Sequence, residues 1–401
     1  MANAFNRIAT LSTAFSPSAP IDQQALFSGR LAQLTDVLNA ISQKGQHAIL
    51  FGERGVGKTS LARVLSGGLL VGNQRVLTAS INCDSTMNFS GLWHKILREI
   101  TLTTARQGIG FTSSASTNTV TLDQQLPQIV TPDDVRHVLA RMGKSMIVID
   151  ELDRLEDPQV SSLLADTVKT LSDHAVDSTL LLVGVADSVD TLISQHRSIE
   201  RALVQVRMPR MSPPELFQII EKGIEAAQMT IDDEAKRKIS ALSQGLPHYT
   251  HLLALYASQR AAGAGRVHVT VEDVRAAIDA ALARAQQSII STYHKATNSP
   301  RENLYPQVLL SCALAQPDSL GYFAAVDVRS PLSGIMAKPY EIPAFSQHLN
   351  AFCEAARGPV LQRTGTTRRY RFRFENPLMQ PFVVMDGIRK GLITDDLKPA
   401  H

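Results

Sequence analysis

The chain has 401 residues, 44% of them apolar and 19% charged, with a formal net charge of +3. That balance fits an ordinary globular protein with two or three full cores, and it excludes a broadly basic nucleic-acid coat, so any basic patch must be local. Cys83, Cys312 and Cys353 are far apart and offer no zinc spacing, as in a reducing cytosol. No apolar run nears the ~20 residues of a membrane span, and Met1 to Pro20 lacks the basic start and apolar centre of a secretory signal. A cytoplasmic protein with no membrane partner is expected.

Residues 1–25, rich in Ser, Ala and Pro, read as an arm that wraps the surface without forming an element. Phe27-Ser28-Gly29-Arg30 leads into Leu31 to Leu38, apolar at helical spacing. His47 to Phe51 is an apolar run, followed by Gly52-Glu53-Arg54-Gly55-Val56-Gly57-Lys58-Thr59-Ser60 and the helix-like Leu61 to Leu65. Strand, glycine loop, helix is the order that a phosphate-binding P-loop requires. Its glycines let backbone N–H groups turn inward toward phosphate. Lys58 is expected to reach the β- and γ-phosphates, and the Thr59 hydroxyl to hold Mg²⁺.

Arg75 to Asn82 reads as a second strand, and Leu92, Trp93, Ile96, Leu97 and Ile100 as a helical stripe with Trp93 in the core. The Thr-, Ser- and Gly-rich segment 101–130 is expected to be a mobile surface insertion, either a solvated loop or a pore or partner loop. Thr131 then caps a helix opened by Pro132. Met146 to Ile149 is a buried apolar strand that ends in Asp150-Glu151. Asp150 is placed to bind Mg²⁺ through water and Glu151 to polarise the attacking water. A helix-capping turn is the alternative for such a pair. Leu180 to Ala186 is a further strand, and Asp187 stands where a polar side chain senses the γ-phosphate.

The strand Leu203 to Met208 precedes Ser212, a helix cap with prolines behind it and Glu215 three residues on. Residues 215–296 read as helices: Leu216 to Ile224, Ala235 to Leu242, one starting at Gly245-Leu246-Pro247-His248, and one over Val271 to Ile289. Beyond about residue 302, helices over Leu304 to Ala315 and Ile342 to Ala356 precede a hairpin of Val360 to Arg363 and Arg368 to Phe374. Arg369, Arg371 and Arg373 face one way on its second strand, and Tyr370, Phe372 and Phe374 the other. This order suggests a winged helix. With Arg363 and Arg368 the wing holds five arginines and no acid between 363 and 373. Such a row is suited to gripping phosphates, or equally to lying in solvent or pairing with a partner protein.

P-loop, Asp150-Glu151, sensor strand, arginine after it, helical lid and terminal hairpin together resemble the AAA+ ATPases, most closely the origin-recognition and initiator branch and neighbouring STAND-type ATPases. The resemblance implies an α/β P-loop NTPase core with a parallel sheet over 26–211, an all-α lid over 212–299 and a winged-helix-like domain over 300–401. It implies ATP and Mg²⁺ as cofactors, and hydrolysis of ATP to ADP and phosphate with Lys58, Glu151 and Arg201 catalytic. Arg201 looks like an arginine finger that completes a neighbour's site in a homo-oligomer, with Arg197 the second choice. His248 stands where many relatives carry a lid arginine, and Asp187 where Asn is commoner, so turnover is expected to be slow without a partner and switch-like. Three outputs stay open: engagement of double-stranded DNA through the wing, STAND-like signalling or defence with a protein trigger and a separate effector, and regulation of transposition or DNA loading.

Overall fold

The computed structural model describes residues 2–17, 28–67, 70–71, 74–106, 116–186, 189, 199–299, 303–318, 320–366 and 369–399. Five parallel strands form the central sheet: β1 (His47–Gly52), β2 (Leu77–Asn82), β3 (Ser145–Asp150), β4 (Ser178–Val185) and β5 (Leu203–Arg207). Their order is β2-β3-β4-β1-β5. β1 and β3 are buried along their whole length, which is why they read as continuous apolar runs. Alternate side chains feed two cores: Ala48, Leu50, Met146 and Val148 point to one, Ile49, Phe51, Ile147 and Ile149 to the other. Because β4 lies between β1 and β3, the ends of the P-loop strand and the Asp-Glu strand stand one strand apart.

Helices α2 (Leu31–Ser42) and α3 (Lys58–Ser66) cover the first face. Helices α4 (Phe89–Arg98), α5 (Pro132–Leu139) and α6 (Pro158–Asp173) cover the second, with Trp93 fully buried among them. The expected loop over 101–130 is structured at both ends: Thr101–Arg106 and Ser116–Thr121 pair as an antiparallel hairpin. β-Branched Thr and Val fill most of these positions and favour strand. Leu122, Leu126 and Val130 then bury against the second core. Residues 107–115 lie outside the described chain.

The lid is α7 (Pro213–Ala226), α8 (Asp233–Ser243), α9 (Pro247–Gly263) and α10 (Val271–Ala283). Ser212 and Glu215 form the expected capping box, and Thr131 does the same with Asp134 at α5. The single helix expected over Val271 to Ile289 is two, α10 and α11 (Gln287–Thr297), parted by the extended backbone of Gln286. The apolar stripe runs across the break, so periodicity alone hides it. Next come α12 (Tyr305–Leu314), β6 (Phe323–Ala324), α13 (Ala325–Ile335), α14 (Ile342–Ala351), β7 (Leu361–Thr364), β8 (Arg371–Phe374) and α15 (Met379–Arg389). The three strands form an antiparallel sheet, β6-β8-β7. Phe372 and Phe374 are buried while Arg371 is exposed, the alternation expected of that strand. The first core runs without a break from the sheet through the lid to this C-terminal part. Among the described residues, no helix is long and apolar enough to cross a membrane.

The N-terminal arm differs most from expectation. Ala2–Ala14 is a helix, α1, and Leu11, Ala14 and Phe15 bury their side chains. Ile8, Leu11 and Phe15 recur at helical spacing, a signal hidden by the surrounding Ser, Thr and Asn. Phe15 fills a notch at Gly223 of α7, where a Cβ would stand 2.2 Å from its Cζ. Gly223→Ala is therefore expected to expel the ring and undock α1, at about 1–3 kcal/mol. A lower urea midpoint with new protease cleavage between residues 2 and 17 checks this; an unchanged digestion pattern contradicts it.

Candidate nucleotide site

The P-loop leaves the C-terminal end of β1 and turns into α3. Gly52 has φ +147, and a Cβ there would lie 2.5 Å from the Met208 carbonyl oxygen, so only glycine lets the loop pass β5. Gly57, at φ +95, gives the left-handed turn that aims the start of α3 inward. Lys58, buried, donates to the carbonyls of Gly52 and Glu53, each at 2.9 Å, and so closes the loop on itself. Burial pushes its ammonium down to about 8, against the opposing pull of Asp153, Asp150 and Glu53.

The Thr59 hydroxyl hydrogen-bonds to Asp150, and the Glu151 N–H donates to Asp150 Oδ1 at 2.7 Å. Burial raises the Asp150 carboxyl above its usual range, and these two donors oppose the rise. Glu151 has the left-handed φ of +58, an uncommon conformation for a non-glycine residue that recurs at functional sites. Asp153 Oδ1 accepts from the Val185 N–H at 2.7 Å and so pins the end of β4.

These groups line one cavity of about 820 Å³. Lys58, Thr59, Asp150, Glu151 and Arg154 line it together with Pro17, Arg30, Met211, His248 and His251. Arg54, Gly55, Gly57 and Ser60 also face it, while Val56 is buried behind the loop. His248 Nδ1 lies 2.6 Å from the Pro17 carbonyl, which can only accept, so that nitrogen carries the proton. Burial lowers the His248 imidazole, and the carbonyl partly offsets this. The residue expected to contact γ-phosphate is thus tied to the N-terminal arm. Asp187, Arg197 and Arg368 fall outside the described residues. Arg201 is exposed at the start of β5, the end of the sheet opposite the P-loop, and is not part of its own chain's cavity.

The wing arginines are differently employed. Arg371 pairs with Asp318 at 3.0 Å and donates to the Tyr322 carbonyl, and Arg373 donates to the Leu320 carbonyl and lies over the Tyr322 ring. Arg363 donates to Asn350 Oδ1 and stacks on Tyr370, and Arg369 is exposed. Two arginines of the expected phosphate-gripping row therefore hold Asp318, Leu320 and Tyr322.

Three functional residues carried no sequence signal of their role. Arg30, its guanidinium buried, donates to the Val56 and Pro209 carbonyls at 2.9 and 2.5 Å and braces the P-loop from behind. Arg154 donates to Glu151 Oε2 at 3.2 Å. Arg210 makes a bidentate pair with Glu53, Nε to Oε2 at 2.7 Å and Nη2 to Oε1 at 2.9 Å. Its Nη1 donates to the Gln244 carbonyl of the lid and to Gln380 Oε1 of α15. The Glu53 carboxylate is therefore engaged by this arginine and does not line the cavity. Arg210→Ala strands a carboxylate whose side chain is only 9% exposed, and is expected to cost about 3–5 kcal/mol. Glu53→Gln with Arg210→Met together should cost clearly less; urea unfolding of the three proteins decides, and equal losses would contradict the pairing.

A family model described as an AAA domain matches residues 41–193. Among solved structures, the Walker-type ATPase PABY2304 of Pyrococcus abyssi is similar, with a TM-score of 0.50 and 14% identity over 92% of this chain and 99% of that one. The ORC2 protein of Aeropyrum pernix scores 0.47 at 15% identity, over 94% and 97% of the two chains. The ORC1 protein of the same organism, solved in complex with DNA, scores 0.47 at 14% identity, over 94% and 96%. No curated protein matches the sequence. At 14% identity the Pyrococcus likeness concerns fold alone. The matched segment, the β2-β3-β4-β1-β5 sheet and the paired P-loop and Asp-Glu strand ends identify the chain as carrying a P-loop domain of the AAA type.

Proposed function

We infer that the chain is an ATP-binding and ATP-hydrolysing switch whose C-terminal domain reads the state of the nucleotide site. The convergence of Lys58, Thr59, Asp150 and Glu151 on one cavity carries this reading. Thr59 and, through water, Asp150 are the residues that fit Mg²⁺, since their side chains already face each other. Among the described residues no three His, Cys, Asp or Glu side chains cluster to cage a metal, and magnesium bound with substrate phosphates and waters needs none. Bound there, the ion supplies Lewis-acid neutralisation of phosphate charge.

The P-loop N–H groups and the Lys58 ammonium hold the phosphates. Glu151 accepts a hydrogen bond from the attacking water and takes its proton as the water oxygen bonds to the γ-phosphorus. The bond from that phosphorus to the β,γ-bridging oxygen breaks, and ADP leaves with its electron pair. Arg201 serves in trans, completing the site of an adjoining copy. The output is engagement of DNA through the exposed wing, where Arg369 lies. A protein trigger is the second reading, favoured by the internal contacts of Arg371 and Arg373 and by an α14 without Lys or Arg.

Lys58→Ala is expected to abolish nucleotide binding, and Glu151→Gln to keep binding while turnover drops by about 10²-fold or more. If Glu151→Gln turned over ATP normally, its role as the water-orienting group would be wrong. ATPase stimulation by double-stranded DNA that fades with salt supports the wing as a DNA contact; stimulation by protein alone supports the trigger. A pH dependence follows from Lys58. Well below 8 its ammonium is intact and Lys58 contributes no pH dependence. Above that, binding must take up a proton, so affinity falls by up to about tenfold per pH unit until the ammonium of the complex also titrates. Calorimetry near pH 8.5 in buffers of different ionisation enthalpy should show proton uptake, and Lys58→Arg, whose charge persists, should show none.

A further inference from the structure

Arg154 sits three residues beyond Glu151, at the end of the short 3₁₀ turn Leu152–Arg154, and lines the same cavity as Lys58 and Thr59. Its Nη1 donates to Glu151 Oε2 at 3.2 Å, and its own N–H donates to the Glu151 carbonyl at 2.9 Å. The side chains of Arg154 and Glu151 are 55% and 42% exposed, so the pair is open to exchange of partners. The backbone of Glu151 is left-handed, at φ +58. Engaged by Arg154, the carboxylate has one oxygen already occupied by a donor.

We propose that Arg154 is a γ-phosphate-sensing positioning residue that exchanges the Glu151 carboxylate for the terminal phosphate when a nucleoside triphosphate binds. The inference rests on the ATP reading of the site. A terminal phosphate offers the guanidinium more charge and a bidentate set of oxygens than one carboxylate does. Its arrival draws Arg154 off Glu151, and the freed carboxylate then faces the attacking water. ADP offers no such partner, so Glu151 stays paired and the site idle. The lid supplies no arginine here, since His248 stands at that position and is bound to Pro17. Arg154 thus provides in cis a cation that answers to the third phosphate.

The test is a binding cycle on the full chain with Mg²⁺, using ADP and a non-hydrolysable ATP analogue, read by calorimetry. Arg154→Ala should weaken the analogue about tenfold or more, the worth of one charge-assisted hydrogen bond, and leave ADP affinity within about twofold. Arg154→Lys should recover part of the loss. Glu151→Gln frees the guanidinium in advance and should tighten the analogue, and that gain should shrink at least threefold when Arg154→Ala is added, a coupling that independent sites do not show. Equal changes in ADP and analogue affinity, or a Glu151→Gln gain that persists without Arg154, would overturn the exchange. A wild-type chain that binds neither nucleotide, or Lys58→Ala binding as well as wild type, would overturn the ATP site itself and this inference with it.

Discussion

The bidentate pair between Arg210 and Glu53 is the contact on which the rest of the arrangement depends. Glu53 lies inside the P-loop, Arg210 in the link between β5 and the lid, and the remaining nitrogen of the same guanidinium reaches Gln244 and Gln380. One side chain therefore joins phosphate loop, lid and C-terminal helix. A largely buried ion pair contributes little net stability by itself, but losing one partner is costly, so the pair favours one relative placement of the three parts. Around it, Tyr249 of α9 donates to the Leu378 carbonyl at 2.9 Å, and the Leu378 side chain lies against Gly55, where a Cβ would stand 3.4 Å from Cδ2. The nucleotide cavity is walled in part by the C-terminal segment itself.

What was legible in the sequence follows the range of the interactions involved. β1 and β3 are visible because strands buried on both faces must be apolar throughout, and the P-loop because its conformation needs glycines at fixed spacing. Ser212 with Glu215 and Thr131 with Asp134 are visible because capping is settled within four residues. Phe372 and Phe374 announced their burial by alternation. Arg210 was opaque for the opposite reason: its partners Glu53 and Gln380 are 157 and 170 residues away, and nothing local marks it. Arg30 is similar, holding the Val56 and Pro209 carbonyls from across the fold. The helix α1 was missed because its stability comes from docking Leu11 and Phe15 on the lid, and the propensity of its Ser- and Thr-rich sequence says little about that.

The wing shows how one residue pattern can serve the inside and the outside of a molecule. Arg371 and Arg373 stand on the face expected to meet phosphates, yet they hold the neighbouring loop at Asp318 and at the carbonyls of Leu320 and Tyr322. That loop abuts the P-loop hub: a Cβ at Gly321 would lie 3.1 Å from Glu53 Oε1 and 3.2 Å from Arg373 Cδ. An anion bound on this face must therefore compete for the same guanidinium groups that fix Gly321 beside Glu53. Because Glu53 has a single arginine partner among the described residues, and that partner also holds the lid, a disturbance at β8 has a short physical path to the phosphate loop. The path works in reverse as well, since any coupling between two sites is reciprocal. Arg371 and Arg373 on the hairpin, Gly321 and the Glu53–Arg210 pair thus form one contiguous set of contacts between the C-terminal sheet and the phosphate loop.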